Sequence, residues 1–298
     1  IKYIPSTFSI SKKYNFLNIV SDTSILSYIE DNNLILYNMT TNKKNVFSLP
    51  TLNIFGFVDN VFCGITNEGS IRCFIINNAR TIIIDLKDDI IERIAESFGN
   101  PSRIRTTHFY NNNIYYLNEE LYVVYDQNGT GNFSYNRYYH SRLALCDDLV
   151  LSKQGLNFKI WLLNNQNKIF RVNLNNTFKF NSESEINLVE PGILLKKIVY
   201  SKNRNHFIFD KKGTVYDKDL NVVKKGNCES CKAFFIDDEN FLYQIDGSNL
   251  NKIDIINDKV IKSINLTFEN PRHFYIHQNN AILIKESNGE LQQINIPL

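Results

Sequence analysis

From Tyr14 onward the chain alternates short runs rich in aliphatic and aromatic residues with clusters of Asn, Asp, Ser, Thr and Gly. The first runs are Phe16–Val20, Ile25–Ile29, Leu34–Tyr37 and Val46–Leu49, separated by Ser21-Asp22, Asp31–Asn33 and Thr41–Lys43. Runs of this length and composition, bounded by turn residues, predict β-strands. Asn and Asp suit the breaks, because their side chains bond their own backbone and tolerate left-handed conformations. Four such strands in roughly forty residues make one small antiparallel sheet, the size of a propeller blade.

The four-strand unit then recurs. A second unit reads Ile54–Val58, Val61–Ile65, Ile71–Ile75 and Thr81–Ile84, with Asn67-Glu68-Gly69 as a three-residue hairpin turn. An amphipathic helix is predicted next, about Asp88 to Phe98. Asp88 or Asp89 caps it, Ile90, Ile91, Ile94 and Phe98 share one face, and Gly99 and Pro101 stop it. The third unit is Thr106–Tyr110, Ile114–Leu117, Leu121–Tyr125 and a strand within Asn132 to Tyr139. The fourth uses Leu143–Leu145 or Leu149–Leu151, then Phe158–Leu163, Ile169–Leu174 and Phe178–Phe180, with Asn181 to Asn187 read as a polar loop.

The fifth unit is Leu194–Tyr200, His206–Phe209, Thr214–Tyr216 and Leu220–Val223. The sixth is Ala233–Ile236, Phe241–Ile245, Leu250–Ile256 and Val260–Leu266. The seventh has three strands, His273–His277, Ala281–Lys285 and Leu291–Ile296, joined by turns at Asn279-Asn280 and Asn288-Gly289. Turns between second and third strands fall near Asn32, Glu68, Glu119, Gln166, Lys212, Ser248 and Asn288, a spacing of roughly 36 to 51 residues that matches propeller blades.

The expected fold is therefore all-β: one seven-bladed β-propeller domain over 1–298, with four-stranded antiparallel blades and one short helical insertion near 88–98. A many-stranded sandwich would not explain repetition in fours. Three strands leave the last unit with an unpaired edge. Lys2-Tyr3-Ile4 or Phe8-Ser9-Ile10 is expected to pair beside Leu291–Ile296 and close the ring.

The sixth unit, Phe241 to Ile264, and the segment Tyr28–Tyr37 of the first resemble blades of the WD-repeat and YVTN-repeat propeller superfamily. In that superfamily a strand, tight turn, strand, turn and outer strand recur in the same way. The Gly-His and Trp-Asp signatures of true WD repeats are absent, the one Trp being Trp161. The paired glycines of kelch blades are absent too, and 12 Gly are too few for the chromosome-condensation-regulator type. The stretch Cys63–Cys73 nevertheless looks like a hairpin of that last type. The resemblance implies a scaffold for other proteins.

Composition narrows the function classes. Net charge is +2, from 33 basic and 31 acidic residues spread along the chain, so no nucleic-acid footprint appears. No apolar run has the length of a membrane span. The chain opens on Ile1, which leaves a removed leader and a trimmed segment equally open. Asn is roughly one residue in seven, far above ordinary usage.

Candidate chemistry is sparse. Cys63 and Cys73 flank the Asn67-Glu68-Gly69 turn symmetrically and should face each other, as a cross-strand disulfide in an oxidising compartment or as two small buried thiols. Cys228-Glu-Ser-Cys231 has CxxC spacing but lacks the second ligand pair of a zinc site. It precedes a strand rather than opening a helix, so coincidence is the plain reading. The five Cys include an odd one, against a complete disulfide framework. His273 and His277 lie on one strand face roughly 13 Å apart, too far for one metal. His108, His206 and His273 each precede Phe in an early strand, as an ordinary repeat position.

Sequons stand at Asn38, Asn128, Asn132, Asn175 and Asn265, about the number chance gives in such a chain. No nucleophile elbow or phosphate loop occurs, so neither catalysis nor a cofactor or metal is expected. The interaction candidate is Tyr135-Asn-Arg137-Tyr138-Tyr139-His140-Ser-Arg142, because Tyr and Arg dominate interface hot spots. The alternative is an outer strand packing its rings on the next blade. The function expected is a non-catalytic protein-interaction scaffold, cytoplasmic or nuclear rather than secreted. An exported lectin-like or adhesive propeller and a cryptic hydrolase are the alternatives.

Overall fold

Left-handed backbone at the turns sets the architecture. The computed structural model describes residues 6–8, 14–20, 23–54, 56–77, 80–98, 104, 106–110, 112–118, 120–126, 133–139, 143, 146–154, 157–164, 168–174, 180–187, 195–201, 206–210, 212–237, 239–266, 271, 273–277, 279–287 and 290–298. Among them twelve non-glycine residues have positive φ, six of them Asn and four Asp. A minor share of the Asn richness is thus left-handed turn chemistry, since Asn and Asp enter this region at lower cost than other side chains. Consecutive pairs at Asp31-Asn32 (φ 47° and 61°) and Asp88-Asp89 (φ 48° and 67°) make the two-residue turns whose twist matches antiparallel strands.

The strands form seven four-stranded antiparallel sheets. A short strand, β1 (Ser6–Phe8), comes first in the chain. The first sheet is β2 (Asn15–Ile19), β3 (Ile25–Glu30), β4 (Asn33–Asn38) and β5 (Lys43–Ser48), followed by a single 3-10 turn at Pro50–Leu52. The second is β6 (Val58–Ile65), β7 (Ile71–Asn77), β8 (Arg80–Lys87) and β9 (Ile90–Phe98). The third is β10 (Thr106–Tyr110), β11 (Asn113–Leu117), β12 (Leu121–Asp126) and β13 (Phe133–Tyr138). The fourth is β14 (Cys146–Gln154), β15 (Asn157–Asn164), β16 (Lys168–Leu174) and β17 (Phe180–Asn187). The fifth is β18 (Leu195–Ser201), β19 (His206–Asp210), β20 (Val215–Tyr216) and β21 (Val222–Lys224).

The sixth sheet is β22 (Cys231–Ile236), β23 (Phe241–Asp246), β24 (Asn249–Asp254) and β25 (Lys259–Asn265). The seventh runs β26 (His273–His277), β27 (Asn280–Ser287) and β28 (Glu290–Pro297), with β1 beside β28 as its fourth strand. Ser6, Thr7 and Phe8 pair with Gln293, Gln292 and Leu291. Phe8 therefore lies in the pairing strand; Lys2–Ile4 lie outside the described residues.

Three expectations are corrected. The segment 88–98 is not a helix: Asp88-Asp89 turns the chain back, and Ile90–Phe98 pairs antiparallel with β8. Strand β9 is thus the outer strand of the second sheet, and Ile54–Val58 is not its first strand. The Asn67-Glu68-Gly69 turn accordingly joins first to second strand, with Gly69 at φ 82°. Asn181–Asn187 is not a loop but most of β17, an outer strand whose sequence Phe-Asn-Ser-Glu-Ser-Glu-Ile-Asn is polar.

Where burial is described, the sheets bury their faces against their neighbours, and β4, β7, β8 and β11 are buried over most of their length. Val61, Ile75 and Ile84 of the second sheet pack with Leu34 and Leu36 of the first. Phe74 and Ile83 meet Ile114, Tyr116 and Val124 of the third sheet, and Tyr115 and Val123 meet Phe170 and Val172 of the fourth. Strands β14 and β15 contact β18 of the fifth. Ile208 and Val215 join Ile236 and Leu242 of the sixth, whose Tyr243 and Ile245 join Leu283 and Ile294 of the seventh. Tyr275, Ile282 and Ile284 then pack on Leu26, Tyr28 and Ile35 of the first sheet. The seventh sheet also reaches the first through Gln293, whose Nε2 donates to the Met39 carbonyl at 2.9 Å.

Candidate functional site

Outer strands carry the exposed large side chains, because each has a packed neighbour on one side only. On β13 they alternate. Tyr135 and, just past the strand, Tyr139 are 45% and 70% exposed, and Arg137 stands between them on the same outward face. Tyr138 points the other way and packs against the core shared by the third and fourth sheets. The segment thus turns one ring inward and two rings with a guanidinium outward. His140 and Arg142 lie outside the described residues.

Arg137 is positioned from within its own sheet. Its Nε lies 3.6 Å from Glu120 Oε2, which also accepts from the Tyr122 hydroxyl at 2.6 Å. Tyr122 stacks on Tyr116 with ring centroids 4.8 Å apart. Burial, reinforced by the Glu120 carboxylate, raises the Tyr122 phenol above its ordinary range, so it stays a donor. The outcome is a guanidinium between two exposed phenol rings, held over a buried aromatic pair.

The cysteines are brought together as the sequence symmetry suggested. Cys63 and Cys73 are cross-strand partners in the β6–β7 ladder, with Cα atoms 4.1 Å apart and sulfurs within bonding distance. Cys228 and Cys231 also place their sulfurs within bonding distance. Cys146 is buried and belongs to neither pair.

Among the described residues one trio brings possible metal donors together: Cys228, Cys231 and Asp246, all within 4.8 Å of one another. Asp246 already accepts from Ser230 Oγ at 2.5 Å. A bonded sulfur pair leaves no thiolate for a metal, so the two arrangements exclude each other. His273 and His277 occupy opposite ends of β26, as their spacing required.

Sequence reading passed over a cleft of about 670 Å³ between the first two sheets. It is lined by the starts of β2 and β6, the end of β3, the β3–β4 turn and the segment after β5. Its one visible signal was Phe57 beside Gly56, an apolar residue in a turn-like stretch; it is 85% exposed.

No protein-family model matches the chain, and no curated protein matches its sequence. Solved structures do match in fold. A chain from the crystal structure of a Mitotic Checkpoint Complex aligns at TM-score 0.63 and 10% identity, covering 99% of this chain and 95% of that one. Hsv2 of Kluyveromyces lactis aligns at 0.61 and 10%, covering 97% and 98%. The β-propeller domain of Cps50 (Swd1) from Myceliophteria thermophila aligns at 0.61 and 9%, covering 98% of each. With these structures covered almost from end to end and four-stranded antiparallel sheets in this chain, the fold is that of a β-propeller.

Proposed function

We propose that this chain is a non-catalytic protein-interaction platform: seven blades in one ring, fastened where β1 pairs with β28. The cyclic order of sheet packing, with Tyr275 and Ile284 against Tyr28 and Ile35, supports the ring. A similar chain was solved within a Mitotic Checkpoint Complex, which makes complex assembly a natural role by analogy of fold. The observation that carries the reading is the outward face of β13, where Tyr135, Arg137 and Tyr139 present large aromatic area beside a planar cation. Such groups recur at the energetic centres of interfaces.

The test is affinity capture of partners from the native cell with the full chain and with a Tyr135→Ala/Tyr139→Ala double variant. The variant is expected to lose its captured partners while melting at the same temperature. An unchanged partner set would overturn the assignment of this face.

A second reading, an exported adhesive propeller, is favoured by one observation: two cysteine pairs lie within bonding distance. Oxidised pairs persist in secretory compartments and are reduced in the cytosol. On that reading Asn265, exposed at the end of β25, is the more open to a glycan of the two sequon asparagines among the described residues. Asn38 is less so, since its Oδ1 accepts from the Thr40 and Thr41 N–H groups.

A further inference from the structure

Irregularities lie in both strands that flank the cleft between the first two sheets. In β2 the register shifts between Asn15 and Asn18, and Phe16 takes φ 58°, a conformation rare for a bulky side chain. In β6 the register shifts between Val58 and Asn60. Shifts of this kind recur in β14, β18 and β22, so they belong to the repeat; among the described residues the positive φ of a bulky aromatic is particular to this cleft. Asn18 ties the two strands together: its Nδ2 donates to the Phe16 carbonyl at 3.2 Å and across to the Val61 carbonyl at 2.8 Å.

The gap has the size of a ligand site, within the roughly 300–1,000 Å³ usual for one. Its buried lining is apolar, formed by Ile29, Leu49 and Ile54. Phe57 stands at the mouth, 85% exposed. A ring so exposed beside an apolar floor is a surface that gains by being covered. Among the described residues the one charged group in the lining is Asp59, and Asp31, next to lining residue Asn32, is also exposed at that end. Asn15, Asn32 and Asp59 supply the few polar groups that orient a ligand.

We infer that this cleft docks a linear peptide carrying a bulky apolar side chain next to a lysine or arginine. The apolar side chain enters over Ile54 and under Phe57; the cation faces Asp59. Strand β2 is the edge strand of its sheet, so an extended chain lying along the cleft can add to it by backbone pairing. Rim carboxylates of this kind set orientation and encounter rate, and the apolar contact supplies the affinity. The inference rests on the reading of the chain as a protein-binding platform but uses a different surface from β13.

Random heptapeptides displayed on phage, selected on the immobilised full chain, test it. An enriched sequence is then labelled and titrated by fluorescence anisotropy against the native chain, Asp59→Lys, Phe57→Ala and, as a distant control, Val260→Ala. All three positions are exposed, and thermal melts check that the fold is kept. The expected result is enrichment of an apolar residue beside Lys or Arg, at least tenfold weaker binding to Asp59→Lys and to Phe57→Ala, and unchanged binding to Val260→Ala. Absence of enrichment, enriched peptides without that pairing, or binding that survives both cleft substitutions would overturn it. Loss of peptide binding in Tyr135→Ala/Tyr139→Ala, with the cleft variants unaffected, would return the whole recognition role to β13.

Discussion

Arg72 and Asp85 face each other across the β7–β8 ladder and share two buried hydrogen bonds, Nε to Oδ1 at 2.6 Å and a terminal nitrogen to Oδ2 at 2.8 Å. The remaining terminal nitrogen donates to the Asn112 carbonyl at 3.0 Å, and the guanidinium lies 4.9 Å from the centroid of the Phe133 ring. Asn112 and Phe133 belong to the next sheet, so one side chain satisfies an acid in its own sheet and tethers its neighbour. Removing Arg72 takes both hydrogen bonds from a buried carboxylate and leaves it only the half-exposed Arg93 at 3.9 Å, a loss of about 3 kcal/mol. Urea unfolding of Arg72→Ala and Asp85→Ala is expected to show it. Arg72→Met with Asp85→Leu is expected to recover most of the loss; a double variant as unstable as the singles would deny that the pair is what matters.

The cysteine geometry predicts chemistry that a thiol count can read. Denatured without reductant, protein from its native source is expected to expose one reactive thiol, Cys146, with Cys63–Cys73 and Cys228–Cys231 closed. Closing a loop of the Cys63–Cys73 size stabilises by about 2–3 kcal/mol in the chain-entropy treatment, so reduction is expected to lower the melting temperature. Five free thiols would instead place the chain in a reducing compartment and remove the support for export.

The phenols of Tyr28, Tyr116, Tyr243 and Tyr275 are all pushed up, chiefly by burial, with Glu30, Tyr122 and Asp237 adding to it at the first three. Because the folded state raises the value, their stabilisation is fully present below the ordinary pKa of 10.0 and is lost as pH rises through the folded values. Absorbance at 295 nm is expected to show a group of tyrosines that ionises only together with alkaline unfolding. Titration of every tyrosine near pH 10 in the folded protein would contradict their burial.

Strand β1 is short, yet it completes the seventh sheet. Deleting residues 1–11 removes its pairing with Leu291–Gln293 and exposes the β28 edge. The melting temperature is expected to fall by about 2–4 °C for each kcal/mol lost. Unchanged stability would refute the ring closure proposed above.

Most strands were legible because they depend on local composition and on turn residues that act locally. Segment 88–98 was misread for a definable reason. Ile90, Ile94 and Phe98, spaced by four, satisfy a helical stripe and one face of a strand equally, leaving Ile91 alone to favour the helix. The partner settled it: β8 needed a fourth strand beside it, and pairing is not written in the strand that pairs. β17 was missed because an outer strand exposed on one side need not be apolar. The face of β13 was legible as a Tyr–Arg cluster, but which rings point outward depended on register. Apart from Phe57 beside Gly56 the cleft left no mark on the sequence, since Ile29, Leu49, Ile54 and Asp59 meet only after two sheets are packed.

The packing of Tyr275 and Ile284 on Tyr28 and Ile35 has a consequence for how the molecule comes apart. In a linear stack of repeats the end units have one bare flank and peel away first, so stability grades from middle to ends. In the ring proposed above, every sheet is sandwiched between two others, the last against the first. Such a ring has no outermost repeat from which loss of structure can spread, and a weak sheet is held from both sides by its neighbours.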